Sequence, residues 1–149
     1  MKTVGIIAEY NPFHNGHLYQ LQKAKALSAA DFVIVVLSGN FVQRGTPALL
    51  DKYARCEMAL RCGADLVVEL PVCYATGSAE YFAKGAISLL AKLKVDALCF
   101  GSECGSIDTL RQAAQVLSDE PEDFRETLAY HLHRGLSFPA ARSLALTRC

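Results

Sequence analysis

Residues 5–21 read GIIAEYNPFHNGHLYQL: an apolar run, an Asn-Pro turn and a His-Asn-Gly-His cluster set directly ahead of a helical pattern. The run is part of TVGIIAE (3–9), where apolar residues follow one another without a clean period of two, as in a strand buried on both faces. Beyond the cluster, Leu18, Leu21, Ala24 and Leu27 recur every three to four residues, the spacing of a helix with one apolar face. The alternation continues along the chain. FVIVVLS (32–38), DLVVELP (65–71) and DALCFGS (96–102) are further short runs rich in Val, Leu and Ile. Between them lie Leu49, Tyr53, Cys56 and Leu60, then Tyr81, Phe82, Ala86, Ile87, Leu90 and Leu93, again at helical spacing. Strands about thirty residues apart with a helix in each gap describe right-handed crossovers. The predicted fold is therefore α/β, a doubly wound parallel sheet covered on both sides.

After residue 105 only helical patterns remain. Ile107, Leu110, Ala113, Ala114 and Leu117 share one face, Pro121 opens a segment continued by Phe124, Leu128 and Leu132, and Gly135 stops it. LSFPAARSLALTRC (136–149) restarts a short helix at Pro139 and ends without a fifth strand. The expectation is one domain, residues 1–149, with a helical C-terminal portion and the look of a chain cut short.

With 52% hydrophobic and 20% charged residues, 149 residues suffice for a core and are too apolar for disorder. Fifteen basic residues balance fifteen acidic ones, so no global field advertises nucleic acid or an anionic membrane. The imbalance is local, acidic in SDEPEDFRE (118–126) and basic over 131–148, and fits solvated surface. The apolar start is too short for a signal-peptide core and no run of about 18 apolar residues occurs, so a cytoplasmic protein with no membrane contact is expected. Six cysteines lie mostly in apolar stretches and read as buried thiols; the spacing of Cys99 and Cys104 is not that of a zinc site, and no protein-held metal is expected.

The chemistry concentrates in the first turn. Ligands of an open parallel sheet bind beyond the carboxyl ends of its strands, where helix starts and loops converge. Asn11-Pro12 turns the backbone away from helix, Gly16 removes a Cβ where something comes close, and the helix start beyond it offers unpaired N–H groups to an anion. His14 and His17 straddle that start and add directed donors, which suits a phosphate. The helix dipole disfavours imidazolium in the empty site and a polyphosphate favours it, so proton uptake on binding is expected. Transfer at an α-phosphate then needs in-line positioning and charge stabilisation, commonly with magnesium, and no protein nucleophile. Taken singly, each histidine also reads as a structural residue; the constellation points to phosphate chemistry.

The second strand ends in SGNFVQRG (38–45), where Gly39 frees the backbone and Asn40, Gln43 and Arg44 supply donors, with Asp51, Lys52 and Arg55 on the helix that follows. Arg44 and Lys52 are candidates to hold phosphates as fork and point charge, or else are solvated surface. Gly101, after the fourth strand, can let an adenine or ribose approach its backbone. Glu9 and Glu69, near strand ends, are either polar anchors or partners of loop amides.

HNGH at 14–17 resembles the HxGH signature of the nucleotidyltransferase superfamily. Together with GIIAEYNPFHNGH, SGNFVQRG, DLVVELP, FGSE and LSFPAARSLAL, it makes almost the whole chain similar to the tRNA(Met) cytidine acetate ligase family. The resemblance implies a Rossmann-like cytoplasmic ligase that activates acetate with ATP to acetyl-adenylate and passes the acetyl group to the wobble cytidine of elongator tRNA(Met), forming N4-acetylcytidine. It implies His14 and His17 as catalytic residues, and an ATP site of Ile7, Ala8, Glu9, Tyr10, Asn11, Pro12, Phe13, His14, Asn15, Gly16, His17, Leu18, Tyr19 and Gln20 together with Gly101. Mg2+ accompanies the ATP. Family members are longer, so a tRNA-engaging C-terminal region is expected to be missing here. Two other readings stay open: a small-molecule adenylyltransferase of the pantetheine-phosphate or nicotinate-mononucleotide kind, and a non-catalytic nucleotide-binding module.

Overall fold

The computed structural model describes residues 1–148. In chain order the elements are β1 (Thr3–Ala8), α1 (Asn15–Ser28), β2 (Phe32–Ser38), α2 (Lys52–Arg61), β3 (Leu66–Leu70), α3 (Val72–Ala75), α4 (Ala79–Lys92), β4 (Ala97–Cys99), α5 (Ile107–Asp119), α6 (Glu122–His133) and α7 (Phe138–Arg148). The strands form one sheet in the order β3-β2-β1-β4, with every neighbouring pair parallel. The chain divides into two compact units, the first Met1–Gly101 and the second beginning at Ser102.

In the first unit the alternation of side chains along a strand sorts the apolar residues to two faces. Val4 and Ile6 of β1 and Val33, Val35 and Leu37 of β2 pack with Leu21 and Ala24 of α1 and Ala59 of α2. Ile34 and Val36 face the other way, against Leu70, Ala75, Ala86 and Leu90 on the α3 and α4 side. The doubly wound α/β fold is thus the one expected from the sequence.

Three aspartates fix the amino ends of the strands. Asp31 accepts from the Lys2 N–H at 2.7 Å, Asp65 from Val33 N–H at 2.8 Å and Asp96 from Thr3 N–H at 2.7 Å. The hydrogen bonds from Thr3 hold the Asp96 carboxyl below its ordinary value. The opposite, carboxyl ends are left free to turn toward a site.

Three expectations need correction. Among the described residues the cysteines are not buried thiols: Cys56, Cys62 and Cys99 are half-buried at the edge of the core, and Cys73 and Cys104 are exposed. Only the central strands are buried on both faces; at the sheet edges Leu66 of β3 and Leu98 of β4 remain about two-fifths exposed. On α2 most of the predicted apolar face is turned outward: Leu49 lies before the helix, Tyr53 is 74% exposed and Leu60 44%, while Cys56 alone of the four packs half-buried against the core. The inward face carries Arg55 and Ala59 instead.

In the second unit, Phe124 and Thr127 of α6 and Ala141 and Ala145 of α7 are buried, and Gly135, at φ 83°, takes the left-handed conformation that ends α6 as predicted. α5 contributes no buried residue. Among the described residues no helix is long and apolar enough to cross a membrane.

Candidate functional site

β1 lies between β2 and β4, and its carboxyl end opens at the point where the strand order reverses, the place such sheets bind ligands. Beyond Ala8 the chain turns sharply. Tyr10 adopts a left-handed backbone (φ 48°), and a cis Asn11–Pro12 peptide follows. The Tyr10 ring is buried, with its centroid 4.8 Å from Phe13 in an edge contact and 4.8 Å from His17. Its hydroxyl has no hydrogen-bond partner, and burial drives its pKa well up. An aromatic plug therefore closes the floor beneath the His-bearing turn.

His14 is the N-cap of α1. Its Nδ1 accepts from the Gly16 N–H at 3.1 Å, while His17 Nδ1 accepts from the His14 N–H at 3.2 Å, a capping box built from two imidazoles. The rings stack at 3.7 Å with 25° between their planes. With both Nδ1 atoms accepting, each neutral ring carries its proton on Nε2, leaving two N–H donors beside the helix start. Burial, and then the neighbouring His14, lower the pKa of His17. The imidazolium expected on anion binding meets an obstacle here, because protonating Nδ1 would displace a backbone N–H; neutral donors suffice. Gly16 is required sterically: a Cβ there would stand 2.9 Å from His14 Cε1.

These residues open onto a cleft of about 380 Å³ lined by Ile7, Ala8, Glu9, Tyr10, Asn11, Pro12, His14, His17 and Gln20. Other residues of the predicted segment lie around it. Phe13 packs against the core, Asn15, Gly16 and Leu18 form the first turn of α1, and Tyr19 is exposed with Lys23 Nζ 5.5 Å from its ring. Gly101 follows β4, the strand beside β1, and is open, with nothing within 4 Å of a Cβ position.

The second loop is tied to the first. Glu9 Oε1 accepts from the Gln43 N–H at 2.6 Å and Asn11 Oδ1 from the Leu49 N–H at 2.6 Å. Asn40 Oδ1 accepts from the Lys52 N–H at 2.9 Å. Lys52 Nζ is engaged by Glu69 at 2.6 Å, a hydrogen bond that raises the lysine pKa, so the lysine is already paired. Gly39 makes room for that pair: a Cβ would lie 2.5 Å from Glu69 Oε1. Arg44 is exposed on the loop.

Arg55, which the sequence sets beside Asp51 and Lys52 on the helix after the second loop, is wholly buried. Its Nε donates to Leu50 O at 3.0 Å, Nη1 to Glu9 O at 2.6 Å and Ser38 O at 3.1 Å, and Nη2 to Gly39 O. Burial lowers its pKa, opposed by the carboxylates of Glu9, Asp51 and Glu69. The signal in the sequence was slight: Arg55 and Ala59 at i, i+4, behind the Asp51 N-cap.

A helix start with backbone and imidazole donors, at the carboxyl end of a central parallel strand, defines a phosphate-binding class of α/β domain. Residues 1–149 match the HIGH Nucleotidyl Transferase family, and the chain belongs to it. The resemblance to tRNA(Met) cytidine acetate ligases is also borne out. A relative of that name from Acetivibrio thermocellus is 56% identical over 149 residues, covering 99% of this chain and 36% of the relative. One from Caldicellulosiruptor bescii is 55% identical over 148 residues, covering 99% of this chain and 37% of the relative. The crystal structure of Thermotoga maritima TmcAL bound with alpha-thio ATP superposes with a TM-score of 0.90 at 49% identity, over 99% of this chain and 36% of that one. The chain thus spans little more than a third of the relatives it matches.

Proposed function

We propose that this chain is the ATP-binding part of a tRNA(Met) cytidine acetate ligase, and that His14 and His17 stabilise charge on the α-phosphate as acetate displaces pyrophosphate. The pair of Nε2–H donors held by the capping box carries the proposal. In the reaction, an acetate oxygen attacks the α-phosphorus, the bond to the pyrophosphate oxygen breaks, and acetyl-adenylate forms. The acetyl group then passes to N4 of the wobble cytidine of elongator tRNA(Met), releasing AMP. The first step asks the protein for alignment and for donors aimed at the phosphoryl oxygens, and two neutral imidazoles on a positive helix end meet that need without a proton transfer.

The Thermotoga maritima relative bound alpha-thio ATP, which supports nucleotide binding by a chain of this fold. The nucleotide is proposed to lie in the cleft lined by Ile7 to Pro12, His14, His17 and Gln20, with the rest of the Ile7 to Gln20 segment around it and Gly101 beside the adenosine. Glu9 is the carboxylate that lines the cleft, and one of its oxygens is taken by Gln43 N–H. A magnesium ion would therefore ride mainly on the phosphates, as its chemistry allows, and screen their charge. The acetate and tRNA contacts are expected to draw on the longer protein, in the cytoplasm. Gly39, Asn40, Gln43, Arg44 and Lys52, on the second loop and the start of α2 that the Glu9 and Asn11 bonds tie to the first turn, are further candidates for phosphate or substrate contacts; of these, Arg44 is the cation not engaged by an ion pair among the described residues.

The test is ATP–pyrophosphate exchange, with and without acetate, on this chain and on a C-terminally extended one. Acetate-dependent exchange lost in the His14→Ala/His17→Ala double variant is the expected result. Exchange that ignores acetate and responds to phosphopantetheine or nicotinate mononucleotide would overturn the assignment.

A further inference from the structure

We propose that Arg55 is a positioning residue for the cleft: by clamping the carbonyls that end β1 and β2, it sets the turn that presents His14 and His17. The inference rests on the phosphate-binding reading of that cleft. Arg55 is wholly buried, and no carboxylate lies within ion-pairing distance of it among the described residues. An unpaired buried cation is costly, so its position demands a compensating set of acceptors.

Those acceptors are four carbonyls drawn from three places: Glu9 after β1, Ser38 and Gly39 at the end of β2, and Leu50 before α2. Only a guanidinium has the planar fork to reach them together; a lysine has one nitrogen at the tip of a flexible stem. Glu9 is the pivotal partner. It lines the cleft, and the next residue is Tyr10 with its left-handed backbone, whose ring packs on His17. From guanidinium to imidazole the path is therefore one hydrogen bond, one peptide and one aromatic contact. The Glu9–Gln43 and Asn11–Leu49 bonds tie the same turn to the second loop independently of Arg55, so the turn stays attached when the clamp is lost but no longer in register.

Arg55→Lys and Arg55→Met, made in this chain, test the idea with two readouts. Imidazole nitrogen shifts, recorded without nucleotide, report whether His14 and His17 keep the Nε2–H tautomer. Calorimetry reports ATP affinity. Both variants are expected to fold, to lose the wild-type tautomer signature at one or both histidines, and to bind ATP at least about tenfold more weakly, the equivalent of one charge-assisted hydrogen bond. Wild-type imidazole shifts in a folded Arg55→Lys would overturn the proposal, and so would failure of both variants to fold, which would make Arg55 a scaffold residue. If the wild-type chain binds no ATP, the nucleotide reading fails, while the imidazole shifts still decide the role of Arg55.

Discussion

Replacing Gly16 by alanine separates the site from the scaffold. The added methyl would stand 2.9 Å from His14 Cε1 and 3.0 Å from Nδ1, so the ring must retreat by about half an ångström to reach ordinary contact. That retreat breaks the 3.1 Å bond from the Gly16 N–H, a cap worth about 1 kcal/mol. Alanine in place of glycine in a helix returns roughly 0.5–1 kcal/mol. The two effects nearly cancel, so the melting temperature should move by no more than about 5 °C. Phosphate binding has no such offset. A misaligned Nε2–H forfeits a hydrogen bond to a charged group, about 1.5–3 kcal/mol, or roughly ten- to a hundredfold in ATP affinity by calorimetry. A folded Gly16→Ala that binds ATP like the wild type would refute the claim that this glycine exists to seat His14.

Gly85→Ala would drive a methyl into the Tyr74 ring where α3 meets α4, and should cost about 1–3 kcal/mol in urea unfolding, partly recovered when Tyr74 is truncated as well. Asp51→Ala removes the acceptor of the Tyr53 and Ala54 N–H groups at 2.8 and 2.9 Å and should lower stability by about 1 kcal/mol, with intact folding by circular dichroism. Because the folded chain holds the His17 pKa below its ordinary 6.5, the unfolded chain binds more protons in the window beneath that value; stability should fall as pH drops below about 6.5, and His17→Gln should flatten that slope in urea titrations at a series of pH values.

The sheet was legible because buried parallel strands leave contiguous Val, Ile and Leu runs, and the site because two histidines and a glycine coincide with a strand-to-helix turn. The faces of α2 were not. Leu49, Tyr53 and Leu60 satisfy an apolar period yet lie outward, while the buried residue is a cation whose partners are backbone carbonyls far apart in sequence. Periodicity weighs side chains against solvent and cannot register a charge whose hydrogen bonds go to main-chain oxygens. The Asp31, Asp65 and Asp96 anchors were equally hidden, although each stands directly before a strand. The imidazole tautomers depend on which nitrogen meets which N–H, a matter of ångströms that spacing cannot supply.

The strand order also dictates a timetable. β1 leaves the ribosome first, yet its partner on one side, β4, begins only at Ala97, pairing Val4 with Ala97 across more than ninety residues. Contacts that distant form slowly and late. During synthesis the β4 side of β1, the strand that feeds the histidine turn, stays uncovered until nearly the whole first unit has emerged, and for that interval it presents a bare ladder of N–H and C=O groups to any passing chain.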